Sequence, residues 1–411
     1  MYSYFFRKHI LCKLYPLIWR IYCFLYTPYK VWCIRRKKKI KVLFVLQSLG
    51  TWKSEALYVT MLNHERFMPV LLVIRSEEED DRESIKKYLD KKGYAYIIAD
   101  EAVGFRKMFC PDIIFYQKTY ENNVPSQFYY KRNLYALFCY VNYAFHSVDE
   151  KWAYDTQLLN IAWQVYFENE QVMQMPRLLM RNKCKNGIVT GLPMTDEYLV
   201  PSDESCNPWK RQEHSKKKII WAPHHSIAPE NWLLYSTFLE YADFMFLMAE
   251  KYSDKVQFAF KPHPLLRGRL NEIWGEQRTS EYYQRWATMS NTQLEEGKYV
   301  DLFKMSDAMI HDCGSFTVEY HYTHNPVMYI VRGEEQNHVA DLNAFAKQAF
   351  YLHDLAKCEN DVERFIQNVI DGVDPKKEER MNFYRESLLP PFKKTASENI
   401  IQAILGDVKM K

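Results

Sequence analysis

Short apolar, β-branched runs recur along this chain, each followed by a turn and a stretch with helical spacing. Ile40-Lys-Val-Leu-Phe-Val-Leu46 reads as a buried strand, and Ser48-Leu-Gly-Thr51 turns it into a helix carrying Ala56, Leu57, Val59 and Leu62. The alternation continues with predicted strands at 70–74, 94–98, 112–116, 137–141 and 187–190, and with helices over 82–92 and near 150–165. After a polar interval it restarts, with strands at 218–221, 256–260, 308–311 and 327–331 between helices at 231–251, 266–290, 315–323 and beyond 360. Strands alternating with helices imply parallel, doubly wound α/β sheets.

Residues 200–217 carry two prolines, no periodicity and a polar composition, so they are expected to be a linker. The predicted organisation is an arm at 1–39, a Rossmann-like acceptor domain at 40–199, the linker, and a Rossmann-like nucleotide-donor domain at 218–411, with the two domains facing a cleft. A length of 411 residues suits two cores of ordinary size.

Charge changes the picture at the N-terminus. Residues 1–39 hold ten Lys or Arg and no acid, the first acid being Glu55, whereas the rest of the chain carries 45 basic residues against 51 acids. The arm interleaves Phe5, Phe6, Trp19, Phe24, Leu25 and Trp32 with basic residues and ends in Arg35-Arg-Lys-Lys-Lys39. Its longest uncharged stretch, Ile21 to Tyr29, is far short of the roughly 20 apolar residues that span a bilayer. Pro16 and Pro28 are expected to divide it into short amphipathic helices lying on an anionic membrane surface, with packing against the protein's own body as the alternative. Charges interrupting the apolar region argue against a secretory signal. The acidic remainder and the lack of a recognition motif argue against nucleic acid as a partner. Nine scattered cysteines without a CxxC pair suit reduced thiols in a cytoplasmic setting.

In open parallel sheets ligands bind beyond the carboxyl ends of the strands. There the second half places Pro223-His224-His225-Ser226, Lys261-Pro-His263-Pro264, and His311-Asp312-Cys-Gly314-Ser315 opening a helix with Glu319. Gly314 and Ser315 at a helix start could seat a phosphate. Glu319 could accept ribose hydroxyls, and Lys261 or His263 could neutralise charge on a pyrophosphate leaving group. Each has a plainer reading, as an N-cap or a turn residue. Zinc could use His224, His225, His263 and His311, but no HExxH-type spacing supports it, and neither metal nor cofactor is expected.

At these residues the chain resembles the CDP-glycerol glycerophosphotransferase family, the teichoic-acid primase and polymerase type. The resemblance rests on Trp221-Ala-Pro223, on Lys261-Pro-His263-Pro264, and on Ser306 to Ser315 followed by Glu319-Tyr320 and Asn325-Pro326. Gly191-Leu-Pro193-Met-Thr-Asp196 adds to it. It implies a GT-B fold, a CDP-activated donor on the second domain, and transfer of glycerol phosphate or a similar polyol phosphate to a lipid-linked or glycan acceptor at the cytoplasmic face of the membrane. It further implies that His263 stabilises the leaving CMP and that a first-domain histidine is the base. The family's His-Gly pair is missing after the strand at 137–141, where Asn142, Tyr143 and His146 stand, so His146 is the candidate base. Gly50, Asn142, Tyr143, Gly191, Pro193 and Asp196 are the expected acceptor-side residues. A glycosyltransferase or epimerase using a UDP-sugar, and a non-catalytic membrane-docked scaffold, are the alternatives.

Overall fold

The computed structural model describes residues 21–75, 81–99, 105–119, 125–149, 151–203, 205, 207–227, 235–334 and 339–406. Two compact units divide them, one from Met1–Ala144, Glu150–Asp196 and Pro390–Lys411, the other from Phe145–Asp149 and Glu197–Leu389.

In the first unit β1 (Ile40–Leu46), β2 (Phe67–Val73), β3 (Tyr96–Ile98), β4 (Ile113–Tyr116), β5 (Leu137–Val141), β6 (Gln164–Phe167) and β7 (Gly187–Val189) form one sheet. Their order is β3-β2-β1-β4-β5-β6-β7, and every pairing is parallel. β1 is buried along nearly its whole length, which is why it reads as a continuous apolar run rather than an alternating one. β2 begins at Phe67, three residues before the expected start, and includes Pro69. β3 pairs only with Leu71–Val73, so the missing proline N–H costs no ladder bond on that side.

The second unit holds β8 (Lys217–Ala222), β9 (Val256–Phe260), β10 (Thr292–Leu294), β11 (Ala308–His311), β12 (Val327–Ile330) and β13 (Asp354–Ala356). They form an all-parallel sheet ordered β10-β9-β8-β11-β12-β13. Trp221, Phe238, Phe260 and Trp286 pack ring against ring in its largest core, and Tyr282 meets Phe238 and Phe260 edge-on. β6, β10 and β13 have no counterpart among the predicted strands. Each is three or four residues long and includes polar positions, too little for a periodic signal.

Three boundaries differ from expectation. The helix Ala396–Leu405 packs Ile400, Ile401 and Ile404 into the core built on Ile40, Val42 and Phe44, so residues 390–406 count with the first unit and not with the second. The expected linker is also partly fixed. Trp209 is buried and its indole N–H donates to the Leu302 carbonyl at 3.1 Å, while the Lys210 amide donates to Gln293 Oε1 at 2.7 Å.

The arm is the third. A π turn, Tyr22–Tyr26, runs into the helix Thr27–Arg36, and Pro28 sits in that helix's first turn instead of breaking it. Tyr22 and Ile34 are buried, Tyr22 and Tyr26 hydroxyls donate to the carbonyls of Ala136 and Tyr135, and Lys37 pairs with Asp112 at 2.6 Å. The described half of the arm is therefore part of the first unit's wall; residues 1–20, with Pro16, lie outside the described residues. Among the described residues no helix is long and apolar enough to cross a membrane, and the described cysteines are free thiols.

Candidate active site

β9, β8 and β11 are adjacent in the second sheet, so the loops that leave them converge. The backbone sets this up: the His263 amide donates to the Pro223 carbonyl at 3.0 Å, extending the β8–β9 pairing past the strand ends. His224, His225 and His263 then gather, with ring centroids 4.2 Å (224–225), 4.3 Å (225–263) and 5.1 Å (224–263) apart. One ring nitrogen from each lies within 4.8 Å of the others.

Hydrogen bonds decide what those rings offer. Ser226 Oγ accepts the amides of Tyr235 (3.1 Å) and Ser236 (3.3 Å), which leaves its own proton for His224 Nδ1 at 2.9 Å; the Ser226 amide donates to the same nitrogen at 3.2 Å. His263 Nδ1 likewise accepts the Leu265 amide at 3.2 Å. A ring nitrogen that accepts carries no proton, so both neutral rings hold theirs on Nε2 and present N–H donors. Such a pair suits an anion; a metal would need the Nε2 lone pairs. Burial, reinforced by the neighbouring imidazoles, depresses the pKa of His224 and of His263 to about 3, and burial also lowers His225. The rings are neutral near pH 7, and an arriving anion would favour their protonation.

Asp312 is a positioning residue. One carboxylate oxygen accepts the His224 amide at 2.6 Å, and the other accepts the amide and hydroxyl of Thr237 at 2.6 and 2.9 Å. It ties the end of β11 to the histidine loop and to the start of the helix Phe238–Lys251. Its carboxyl is buried, and desolvation raises its pKa to about 6 against the pull of those donors. His311 turns away from the cluster: its Nδ1 accepts the Cys313 amide, and its Nε2 lies 3.0 Å from His353 Nε2.

Gly314 faces the ring of Tyr235, which in turn packs edge-on against His224. Ser315 is exposed and makes no capping bond, and its helix, Phe316–Glu319, is a single turn. A helix that short contributes little dipole, so the expected phosphate seat would rest on the backbone amides and the hydroxyl. Glu319 is buried, its two oxygens accepting Tyr198 and Tyr299 hydroxyls at 3.1 Å each. Lys261, also buried, places Nζ 4.9 Å over the Tyr299 ring. Tyr198, Tyr299 and Thr237 complete this arrangement and left no signal in the sequence, whereas Ser226 was legible only as the residue that follows the two histidines at the end of β8.

The first-unit residues divide differently. Gly50, Asn142 and Tyr143 follow β1 and β5, with Asn142 Oδ1 accepting the Tyr140 hydroxyl and the Tyr143 amide, both at 3.1 Å. Gly191 has φ +82°, and a side chain there would meet Pro390 at 3.0 Å. Pro193 and Asp196 are buried, and Asp196 accepts the amides of Ala396 and Ser397 at 2.7 and 3.0 Å. Gly191 and Asp196 thus receive and cap the returning C-terminal helix. His146 falls within the second unit and not the first: its carbonyl accepts Asn343 Nδ2 at 2.8 Å, and Val148 bridges to Leu342.

No curated protein matches the sequence. Among solved structures the wall teichoic acid polymerase TagF aligns with a TM-score of 0.59 at 13% identity, covering 93% of this chain and 94% of that one. The S. aureus MnaA–UDP structure aligns at 0.57 and 14%, covering 90% and 98%. The Neisseria meningitidis UDP-GlcNAc 2-epimerase bound to UDP-GlcNAc aligns at 0.56 and 14%, covering 90% and 100%. These likenesses establish the two-domain fold. Residues 166–406 match the family described as CDP-Glycerol:Poly(glycerophosphate) glycerophosphotransferase, a span that runs through every strand-end motif of the second sheet. The chain belongs to that glycerophosphotransferase family and is an enzyme of CDP-glycerol-dependent transfer to a cell-surface polymer.

Proposed function

We propose that the donor pyrophosphate is seated on the imidazole N–H groups of His224 and His263, with His225 beside them, and that Lys261 supplies fixed positive charge. The observation that carries this is the tautomer set by the Ser226 and Leu265 amides, which makes Nε2 of the buried His224 and of the half-buried His263 a donor for a ligand. Glu319, held between Tyr198 and Tyr299, is assigned to the ribose, while Gly314 and Ser315 line the same strand end. In transfer, an acceptor hydroxyl oxygen bonds to the phosphorus that carries the glycerol, the phosphoanhydride bond to CMP breaks, and the acceptor proton passes to a base. His263 stabilises the charge that develops on departing CMP. His146 is our candidate base, because its imidazole offers a ring nitrogen that can accept the hydroxyl proton. The acceptor is a lipid-linked or glycan chain, met at the cytoplasmic face of the membrane by a peripherally bound enzyme. Gly50, Asn142 and Tyr143 are assigned to the acceptor side.

Titration of the purified protein with CDP-glycerol, CDP, UDP and UDP-sugars tests the donor, since a ligand stabilises the native state by an amount that grows with the logarithm of its concentration over Kd. Selective stabilisation by cytidine compounds is expected; preference for a UDP-sugar would replace the donor assignment. His263→Ala is expected to lower kcat at least about a hundredfold with an unchanged melting temperature. Near-normal turnover would reduce His263 to a turn residue.

A further inference from the structure

The helical stretch 21–36 is amphipathic in the reverse of the usual sense. Tyr22 and Ile34 lie buried in the first unit, yet the outward stripe is apolar. Ile21, Phe24, Leu25, Tyr29 and Trp32 recur at i, i+3, i+4, i+8 and i+11 and are 50%, 81%, 61%, 59% and 54% exposed. A helix packed on a globular core normally turns polar residues outward. Clustered exposed apolar side chains with a polar border mark an interaction surface.

The same stripe continues into Arg35 and Arg36, and exposed Lys38 and Lys39 follow. The Arg36 guanidinium lies 3.9 Å over the Trp32 ring, so charge and aromatic face occupy one surface. No acid precedes Glu55. We propose that this face, rather than a free arm, is where the enzyme docks on a bilayer of anionic lipid, with Phe24, Leu25 and Trp32 entering the headgroup boundary and the cations of Arg36, Lys38 and Lys39 meeting the phosphates. The assignment rests on the peripheral-membrane reading given above and names the surface that performs it. The composition fits an interfacial helix, with aromatic rings at headgroup depth and cations beside them. A second copy of the chain is the poorer occupant, because a shared face would bring two sets of the 35–39 cations together.

The test uses the full chain and sedimentation with vesicles of phosphatidylcholine alone or with a quarter phosphatidylglycerol. The wild type is expected to partition onto the anionic vesicles and much less onto the neutral ones. Phe24→Ser/Leu25→Ser/Trp32→Ser, confined to exposed positions, is expected to weaken that partition at least about tenfold with no change in melting temperature. Arg36→Glu/Lys38→Glu/Lys39→Glu is expected to abolish the preference for anionic lipid. Full vesicle binding by the triple-serine variant would overturn the assignment of this face and leave the peripheral reading standing. A wild type that ignores both vesicles would overturn both. A wild-type dimer that the serine changes dissociate, without any vesicle effect, would give the face to a second copy.

Discussion

At the scale of single residues, the same chemical groups do two kinds of work. Asp312 and Glu319 are both buried carboxylates at the end of β11 or in the turn of helix after it, but Asp312 spends its oxygens on backbone amides, whereas Glu319 accepts two phenolic hydroxyls. Asp312→Ala leaves the His224 and Thr237 amides without partners. At roughly 1–3 kcal/mol for each unsatisfied buried donor, it is expected to destabilise the protein by about 3 kcal/mol in denaturant unfolding. Donor affinity would fall with it, since the histidine loop loses its anchor; unchanged stability would remove Asp312 from this positioning role. Glu319→Gln keeps the shape and one acceptor oxygen, so its effect is expected on recognition: ribonucleotide donors should weaken more than their 2′-deoxy analogues. Equal losses for both would make Glu319 a purely structural partner of the two tyrosines.

At the scale of elements, the packing behind the site depends on neutral histidines. His311 donates through Nε2 to His353, whose Nδ1 faces the carbonyls of Ala349 and Phe350 at 3.0 and 3.1 Å, and His321 Nε2 lies 2.9 Å from the Ala349 carbonyl. All three are fully buried, and burial holds His311 and His321 well below the usual imidazole range and His353 at about 3. Because their folded pKa values lie below the unfolded one near 6.5, the stability they support is complete above that pH and is lost progressively as pH falls from there toward the folded values, about 3 for His353. Each contributes a slope of up to about 1.4 kcal/mol per pH unit. The melting temperature is therefore expected to drop between pH 7.5 and 6. Below that, Asp312 and Asp196, both raised to about 6, take up protons in the folded protein and soften the slope. A flat profile from pH 7.5 to 6 would mean that these rings take up protons in the fold as readily as in the unfolded chain.

At the scale of the molecule, the helices Thr27–Arg36 and Ala396–Leu405 both close the first unit. Removing 390–411 takes Ile400, Ile401 and Ile404 from its core and leaves Gly191 and Asp196 without the helix they receive. At about 1.5–3 kcal/mol for each buried aliphatic side chain, the truncated protein is expected to lose cooperative unfolding of that unit. Removing 1–39 strips Tyr22 and Ile34 from the same wall and is expected to lower the melting temperature below that of the full chain. A melting temperature equal to that of the full chain would show that the helix 27–36 contributes nothing to the fold.

What the sequence determined by itself was local. Buried parallel strands are continuous apolar runs, so β1, β5, β8, β9 and β11 could be read directly, and the polar residues just beyond three of them marked the candidate site and its family. What only the tertiary structure decided was partnership across distance. That Glu319 meets Tyr198, 121 residues away, that Asp196 caps a helix 200 residues on, and that three histidines close together while His311 joins His353 instead all follow from strand order. Strand order leaves no periodic trace in a chain, because the pairing of non-consecutive strands is settled by which buried faces fit. The N-terminal helix shows the same limit: its apolar pattern was legible, but which stripe faced the core became clear only once Tyr22 and Ile34 were seen inside it.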